Sequence, residues 1–369
     1  MMNKDFDVMI AGGGIAGLST WFHLNKYASD IAERTVLIEK ETYPRDKVCG
    51  GALAAWSRDV LKNLDINVDI PSVIIDDIDF VYGDEKFTLH QPNQMQIIQR
   101  LKFDHLLAKT AQNRGLNLFQ NEQINGFKNN NSKLDVFTNK GKYYVNTLVG
   151  ADGANSVVAK KIRTSKESYL APTIEIFLPI NSEHESEFDE KKMTVDLSYI
   201  PKGLQGYVWH IPCIIDNKKF MCHGLADFRV IKNKMRINMK EILIKELSKR
   251  KIDVDNLKFK SYPIKWYSKD TVVSQSNVIL VGDASGIEPA FGGGIHFSLS
   301  YGELAYKSIV NAFDNDDFSF SDYKNKIEGH LVGKFIRKCT KLAIGMYSGD
   351  LHPFNVAREI FTLPEKSKN

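Results

Sequence analysis

Two glycine-rich signatures stand at opposite ends of this 369-residue chain, and each needs a strand before it and a helix after it. At the N-terminus, Asp7 to Ala11 reads as a strand, followed by GxGxxG at Gly12, Gly14 and Gly17. The first glycine permits a tight turn and the second lets backbone approach a pyrophosphate. The third lets the next helix pack close to the sheet, with its N-terminal N–H groups aimed at phosphate. A second apolar run, Thr35 to Ile38, ends in Glu39, an acid placed to hold ribose hydroxyls. Such an acid favours an adenosine with a free 2′-hydroxyl, as in FAD or NAD, over NADP.

The second signature is Asn277 to His296, NVILVGDASGIEPAFGGGIH. Val278 to Val281 reads as a buried strand ending in Gly282-Asp283, and Gly292-Gly293-Gly294 opens a helix predicted over Ile295 to Ala312. A carboxylate at a strand end can bond a hydroxylated chain, and the glycine loop can offer N–H groups to phosphate or a ring edge. One ligand gripped by both signatures must be extended, which fits FAD better than NAD.

The text between them has two textures. Gln99 to Gly115 reads as a helix with Gly115 as its stop, and short alternating runs follow at Leu116 to Phe119, Lys133 to Phe137 and Tyr143 to Val145. Asn129-Asn130-Asn131 reads as a turn, and Thr147 to Gly153 as a third apolar strand ending in an acid and a glycine. From about Ser165 to Trp266 period-two strands dominate: Thr173 to Leu178, Met193 to Tyr199, Gly206 to Ile211 and Lys219 to Ala226. One helix, Met239 to Lys251, lies among them, and Val73 to Met95 is again strand-like. The fold class is therefore α/β (α+β overall). A Rossmann-like FAD-binding domain (residues 1–72, 96–164 and 267–320) carries an inserted, mostly antiparallel β-sheet substrate domain (73–95 and 165–266). A C-terminal helical segment (321–369) follows.

Composition excludes more than it assigns. A net charge of +4 over this length gives no case for nucleic acid. Cys49, Cys213, Cys222 and Cys339 lack metal spacing and the nine histidines form no paired ligand motif, so no metal is expected. No apolar run approaches a membrane span, and the first strand starts too soon after Met1 for a signal peptide, so a cytoplasmic location is expected. The one candidate for peripheral contact at the inner face of a membrane is a C-terminal amphipathic helix carrying Ile327, Leu331, Phe335, Leu342 and Met346. Lys324, Lys326, Lys334, Arg337, Lys338 and Lys341 cluster beside that stripe and read as a solvated face. Oligomeric state is not legible.

Four motifs resemble the FAD-dependent oxidoreductases of the geranylgeranyl reductase family, within the para-hydroxybenzoate-hydroxylase-like flavoprotein superfamily. They are GGGIAG (12–17), PRDKVCGGAL (44–53), GADGANS (150–156) and GDASGIEPAFGGGI (282–295); QRLKFDHLL (99–107) is a weaker fifth. The resemblance implies FAD contacts at Ala16, Glu39, Lys40, Arg45, Cys49, Gly50, Arg100, Ile124, Asp152, Gly282, Asp283, Pro289, Gly293, Gly294 and Ile295. Asp152 and Gly153 match a pair linked to nucleotide handling; closing a strand with a turn is an equal alternative. In the family the PRDKVCGG loop lies along the flavin. Cations at Arg45 and Lys47 would favour an anionic reduced flavin and lower a thiol pKa, leaving Cys49 either chemistry or small packing beside the ring.

The segment Tyr207-Val208-Trp209-His210-Ile211-Pro212 is similar to the family's Tyr-x-Trp-x-Phe-Pro. Tyr207, Trp209 and Ile211 share one strand face, which serves either as the floor of an apolar pocket or as ordinary sheet core. His210 faces the other way, as a surface or inter-strand residue. Catalytic candidates are thus Cys49, Lys47, Trp209 and Tyr207. Two departures matter. Gly292-Gly293-Gly294 stands where many relatives have Gly-Glu-Gly, and Ser285-Gly286 stands where aromatic hydroxylases carry Ala-His. The second weighs against a phenol hydroxylase. The reading is a flavoenzyme that reduces a C=C bond of a small hydrophobic, isoprenoid-type substrate. Alternatives are a monooxygenase or halogenase on the same fold, or a flavoprotein passing electrons to a quinone. With no separate nicotinamide domain apparent, NAD(P)H or another reductant would visit transiently.

Overall fold

The computed structural model describes residues 4–130, 132–163 and 170–362, and builds them on two eight-stranded sheets. In the first, the spatial order is Ser274–Gln275, Val278–Leu280, Lys142–Gly150, Lys4–Ala11, Thr35–Glu39 and Asn117–Gln120. Along this order every neighbour after the first pair runs parallel, and the antiparallel pair Ile124–Asn130 and Lys133–Thr138 branches off Lys142–Gly150 to complete the eight. The apolar runs Val8 to Ala11, Val36 to Ile38 and Val278 to Leu280 are buried throughout, as strands covered on both faces must be. Their register does the functional work. Ala11 lies beside Ile38 and Gly150, and Gly150 beside Leu280. Four strands therefore end together, delivering Gly12, Glu39, Ala151 and Gly282 to one edge, where open α/β sheets bind their ligands.

The helices that leave this edge, Ile15–Tyr27 and Gly294–Asn315, pack on each other. Contact is close because Gly302 has no side chain: a Cβ there would lie 2.3 Å from Ser19 Oγ. Ser19 Oγ donates to the Leu299 carbonyl at 2.6 Å. The two sequence signatures are thus adjacent in space.

The second sheet runs Lys260–Lys265, Leu170–Pro179, Lys218–Asp227, Gly206–Ile215, Lys192–Asp196, Ser72–Tyr82, Glu85–Ile98 and Ala52–Ala54. It is antiparallel except where Lys192–Asp196 joins Ser72–Tyr82. One face carries Val208 and Leu225 against Leu243 and Leu247 of the helix Met239–Lys249. The opposite face turns toward the first sheet's edge.

Several local expectations need correction. Tyr143 to Val145 and Thr147 to Gly150 are one strand, Lys142–Gly150. Its burial alternates at the outer end and becomes continuous where it enters the sheet, which mimics two segments in sequence. Asn129 and Asn130 still belong to the strand Ile124–Asn130; Asn131 and the domain boundary near Ser165 lie outside the described residues. Ala52–Ala54, beside the PRDKVCGG loop, forms an edge strand of the second sheet. The single C-terminal helix is two, Tyr323–Gly329 and Leu331–Ser348, because the His330 imidazole accepts the Val332 N–H at 3.2 Å and restarts the helix. That break rotates the stripe: Val332, Ile336, Cys339, Ala343 and Met346 are buried, while Leu331 is 48% exposed. A third helix, Pro353–Thr362, has no counterpart in the sequence reading. Among the described residues no helix is long and apolar enough to cross a membrane.

Candidate active site

A cavity of about 1530 Å³ lies between the first sheet's strand-end edge and the second sheet's open face. At the N-terminal grip, Gly12 has φ +109°, and a Cβ there would lie 2.4 Å from the Ala151 carbonyl oxygen. Gly17 sits beneath it, where a Cβ would strike the Gly12 oxygen at 2.1 Å, so it serves helix packing and does not face the cavity. Gly14 caps the helix Ile15–Tyr27 with no side-chain acceptor, and a Cβ on it would meet nothing within 4 Å. The first-turn N–H groups are left to a ligand.

Glu39 is buried at the next strand end. Its Oε2 accepts the Gly13 N–H at 2.9 Å and its Oε1 the Glu41 N–H at 3.0 Å. Arg45 spans Glu39 and Asp104 at 3.4 and 3.2 Å, and Arg100 makes a two-pronged pair with Asp104 at 2.7 and 2.9 Å. Arg100 also lies close to the Cys49 sulfur. This buried chain of charges ties Glu39 to the Cys49 loop across two elements. Arg45 is therefore an anchor within the ion network that also lines the cavity, as Lys47 does. Lys47 Nζ stands 3.1 Å from the centre of the Tyr262 ring. Burial lowers its pKa to about 8, partly offset by Asp283.

The second grip repeats the first. Gly293, with φ +109°, caps the helix Gly294–Asn315 without a side-chain acceptor, and a Cβ there would collide with His296. Two glycine-capped helix N-termini thus open on one cavity, with Glu39 and Asp283 beside them. That donor set suits the pyrophosphate and hydroxylated chain of FAD. Ala16, Lys40, Ile124, Gly282, Pro289 and Ile295 also line the cavity. Asp152 does too, yet its Oδ2 accepts the Val157 and Val158 N–H groups at 2.6 and 3.2 Å, the turn-closing arrangement.

The second sheet supplies the floor. Tyr207, Trp209 and Ile211 all face the cavity. Trp209 lies over Gly224, where a Cβ would come within 2.4 Å of the indole. Ile211 Cδ1 stands 2.9 Å from a Cβ position at Gly50, and Tyr207 Oη 2.4 Å from one at Gly292. Glycines at 50 and 292 let both loops settle onto this floor. His210, on the reverse face, is buried; its Nδ1 lies 2.7 Å from His223 Nδ1 on the neighbouring strand.

Comparison with known proteins agrees with this geometry. The family described as FAD binding domain matches residues 5–298. The chain belongs to the FAD-binding domain family. A digeranylgeranylglycerophospholipid reductase of Methanococcus aeolicus is 26% identical over 362 residues, covering 91% of this chain and 84% of the relative. A geranylgeranyl bacteriochlorophyll reductase-like protein of Thermoplasma acidophilum shares the fold, with TM-score 0.75 and 18% identity over 98% of this chain and 97% of that one. So does a p-nitrophenol 4-monooxygenase of Pseudomonas putida, with TM-score 0.68 and 16% identity over 99% and 98%. The FAD-binding chain therefore has the fold of FAD-dependent oxidoreductases, a fold that hosts more than one chemistry.

Three site carboxyls escaped the sequence reading. Asp104, fully buried between Arg45 and Arg100, lies four residues after Arg100 in QRLKFDHLL, a spacing that signals the pair. Glu288 lies inside the quoted glycine motif. Its Oε1 accepts the Phe291 and Gly292 N–H groups at 3.2 and 2.6 Å, and burial raises its pKa to about 7. Glu175, in the strand Leu170–Pro179, gives only its period-two position as a signal. Its Oε1 accepts the Cys49 N–H at 2.9 Å, and burial raises it to about 7.

Proposed function

We propose that this flavoprotein reduces a C=C bond of a small hydrophobic substrate, with NAD(P)H or another reductant visiting transiently. Bound FAD supplies two-electron redox chemistry, taking electrons from the reductant and delivering them as hydride. The observation that carries the reading is the continuous cavity with two glycine-capped grips on one wall and Tyr207, Trp209 and Ile211 on the other. Phe80, Met193, Val195, Phe291 and Phe361 extend that apolar wall.

In this reading the grips and Glu39 bind the dinucleotide, and the sheet orients an apolar chain and excludes water. Burial raises both Glu175 and Glu288 to about 7, so near neutrality each is partly protonated and has a proton to give. Similarity to the digeranylgeranylglycerophospholipid reductase supports the same reading.

The test is anaerobic. Protein loaded with FAD and reduced under argon is mixed with short prenyl alcohols of one to four isoprene units, and flavin absorbance is followed. Reoxidation without oxygen supports the reading. Reoxidation that waits for oxygen, whatever alkene is supplied, rejects it in favour of a monooxygenase.

A further inference from the structure

A C=C reduction needs a proton as well as a hydride, and the structure offers four groups around the Cys49 loop. Lys47 packs on the Tyr262 ring, and its charge is compensated by Asp283. Glu288 spends its Oε1 on the Phe291 and Gly292 N–H groups, so moving it would release the glycine loop. Tyr207 is half-buried near Glu288, and its phenol is pushed far above the ordinary range by its apolar surroundings, making it a reluctant acid. Glu175, which likewise holds a backbone N–H, differs in its place between the Cys49 loop and the sheet floor.

Glu175 projects from the strand next to one edge of the second sheet, paired in register with Gly224 on one side and Lys260 on the other. Because Gly224 has no side chain, the Trp209 indole lies directly beside it on the floor. Glu175 Oε1 is held by the Cys49 N–H at 2.9 Å, and its Oε2 receives the Cys222 thiol at 3.9 Å. Cys222 in turn lies 3.5 Å from Trp209 Nε1. One carboxyl therefore joins the cofactor-side loop to the substrate floor, and it is 1% exposed. Its neighbour Lys260 is half exposed and pairs with Asp46 at the cavity rim, a polar route to solvent.

We propose that Glu175 is the acid that protonates the substrate carbon that does not receive hydride. This rests on the reductase reading. One alkene carbon gains hydride as the flavin loses two electrons. The adjacent carbon takes the Glu175 proton as the π bond breaks, leaving a carboxylate that solvent reprotonates. Burial keeps the acid loaded: its pKa of about 7 leaves it largely protonated below neutrality.

The experiment compares FAD-loaded wild type with Glu175→Gln and Glu175→Asp. Under argon, alkene-driven flavin reoxidation should fall by about 10²–10⁴ in Glu175→Gln, the range for loss of a general acid. Glu175→Asp should recover part of it, and the wild-type rate should fall as pH rises through about 7 while the Gln variant stays flat. Infrared difference spectra supply a readout independent of turnover. Wild type should show two buried carboxylic-acid C=O bands that titrate near neutrality, from Glu175 and Glu288, and Glu175→Gln should lose one of them while Glu288→Gln loses the other. A wild-type rate in Glu175→Gln, or a band pair that Glu175→Gln leaves intact, overturns the assignment while leaving the reductase reading intact; Glu175→Asp, whose rate should fall and whose band should shift, decides if Glu175→Gln fails to fold. Wild type that reoxidises only with oxygen fails the reductase reading, and the assignment falls with it.

Discussion

Asp104→Asn removes the one carboxylate shared by two buried guanidiniums. Asp104 is fully buried, bonded to Arg100 at 2.7 and 2.9 Å and to Arg45 at 3.2 Å. Asparagine keeps the shape and one acceptor but loses the charge, leaving Arg100 with no counter-ion and Arg45 with Glu39 alone. Breaking a buried ion pair from one side costs about 3–5 kcal/mol. For a chain of this size, whose unfolding entropy is about 0.8 kcal/mol/K, that lowers the melting temperature by roughly 4–7 °C. Cofactor retention should fall as well, since Arg45 also braces the Glu39 carboxylate that holds the Gly13 N–H. The assay is thermal unfolding of the purified variant with flavin content measured from absorbance. The double variant Arg100→Met/Asp104→Leu should lose less stability than Asp104→Asn, because it leaves one fewer unpaired charge. A melting shift within about 2 °C, with full flavin occupancy, would refute the reasoning that this network holds the Cys49 loop against the first sheet.

Gly224→Ala should push the Trp209 indole off its seat, where a Cβ would come within 2.4 Å, at a cost of about 1–3 kcal/mol. Tryptophan fluorescence and a raised substrate KM would register it, with flavin content unchanged. Asp283→Ala should lower the flavin retained through purification; equal occupancy would mean that the second grip does not hold the cofactor. The Glu288 carboxyl is raised from 4.5 to about 7, so the folded chain binds its proton more tightly than the unfolded chain does. Its stabilising contribution is full below about pH 4.5 and is lost as pH climbs through about 7, by roughly 3 kcal/mol in all. Urea midpoints of wild type should therefore fall over that range, and Glu288→Gln should flatten the part of the fall that Glu175 does not cause.

What was legible in sequence follows from the range of each signal. Gly12, Gly14, Glu39 and Gly293 are fixed by local backbone demands next to strand ends, and the structure gathers them on one edge. Tyr207, Trp209 and Ile211 were legible as a face through period two, but not as a floor. That depended on Gly50, Gly224 and Gly292 making room from three distant segments. Glu175 was opaque because its environment comes from Cys49 and Cys222, far away along the chain. The C-terminal stripe misled because a single cap at His330 restarts the helix and turns another face inward, an event periodicity does not register.

The most direct test of the central claim is the mass of the product formed by FAD-loaded, reduced protein and an unsaturated isoprenoid under argon in deuterated water. The account predicts a saturated bond carrying two added deuterium atoms, because the transferable hydrogen of a reduced flavin exchanges with solvent and the acid on the protein is charged from solvent. An unchanged alkene under argon, converted only when oxygen is admitted and then carrying an oxygen atom, would contradict it.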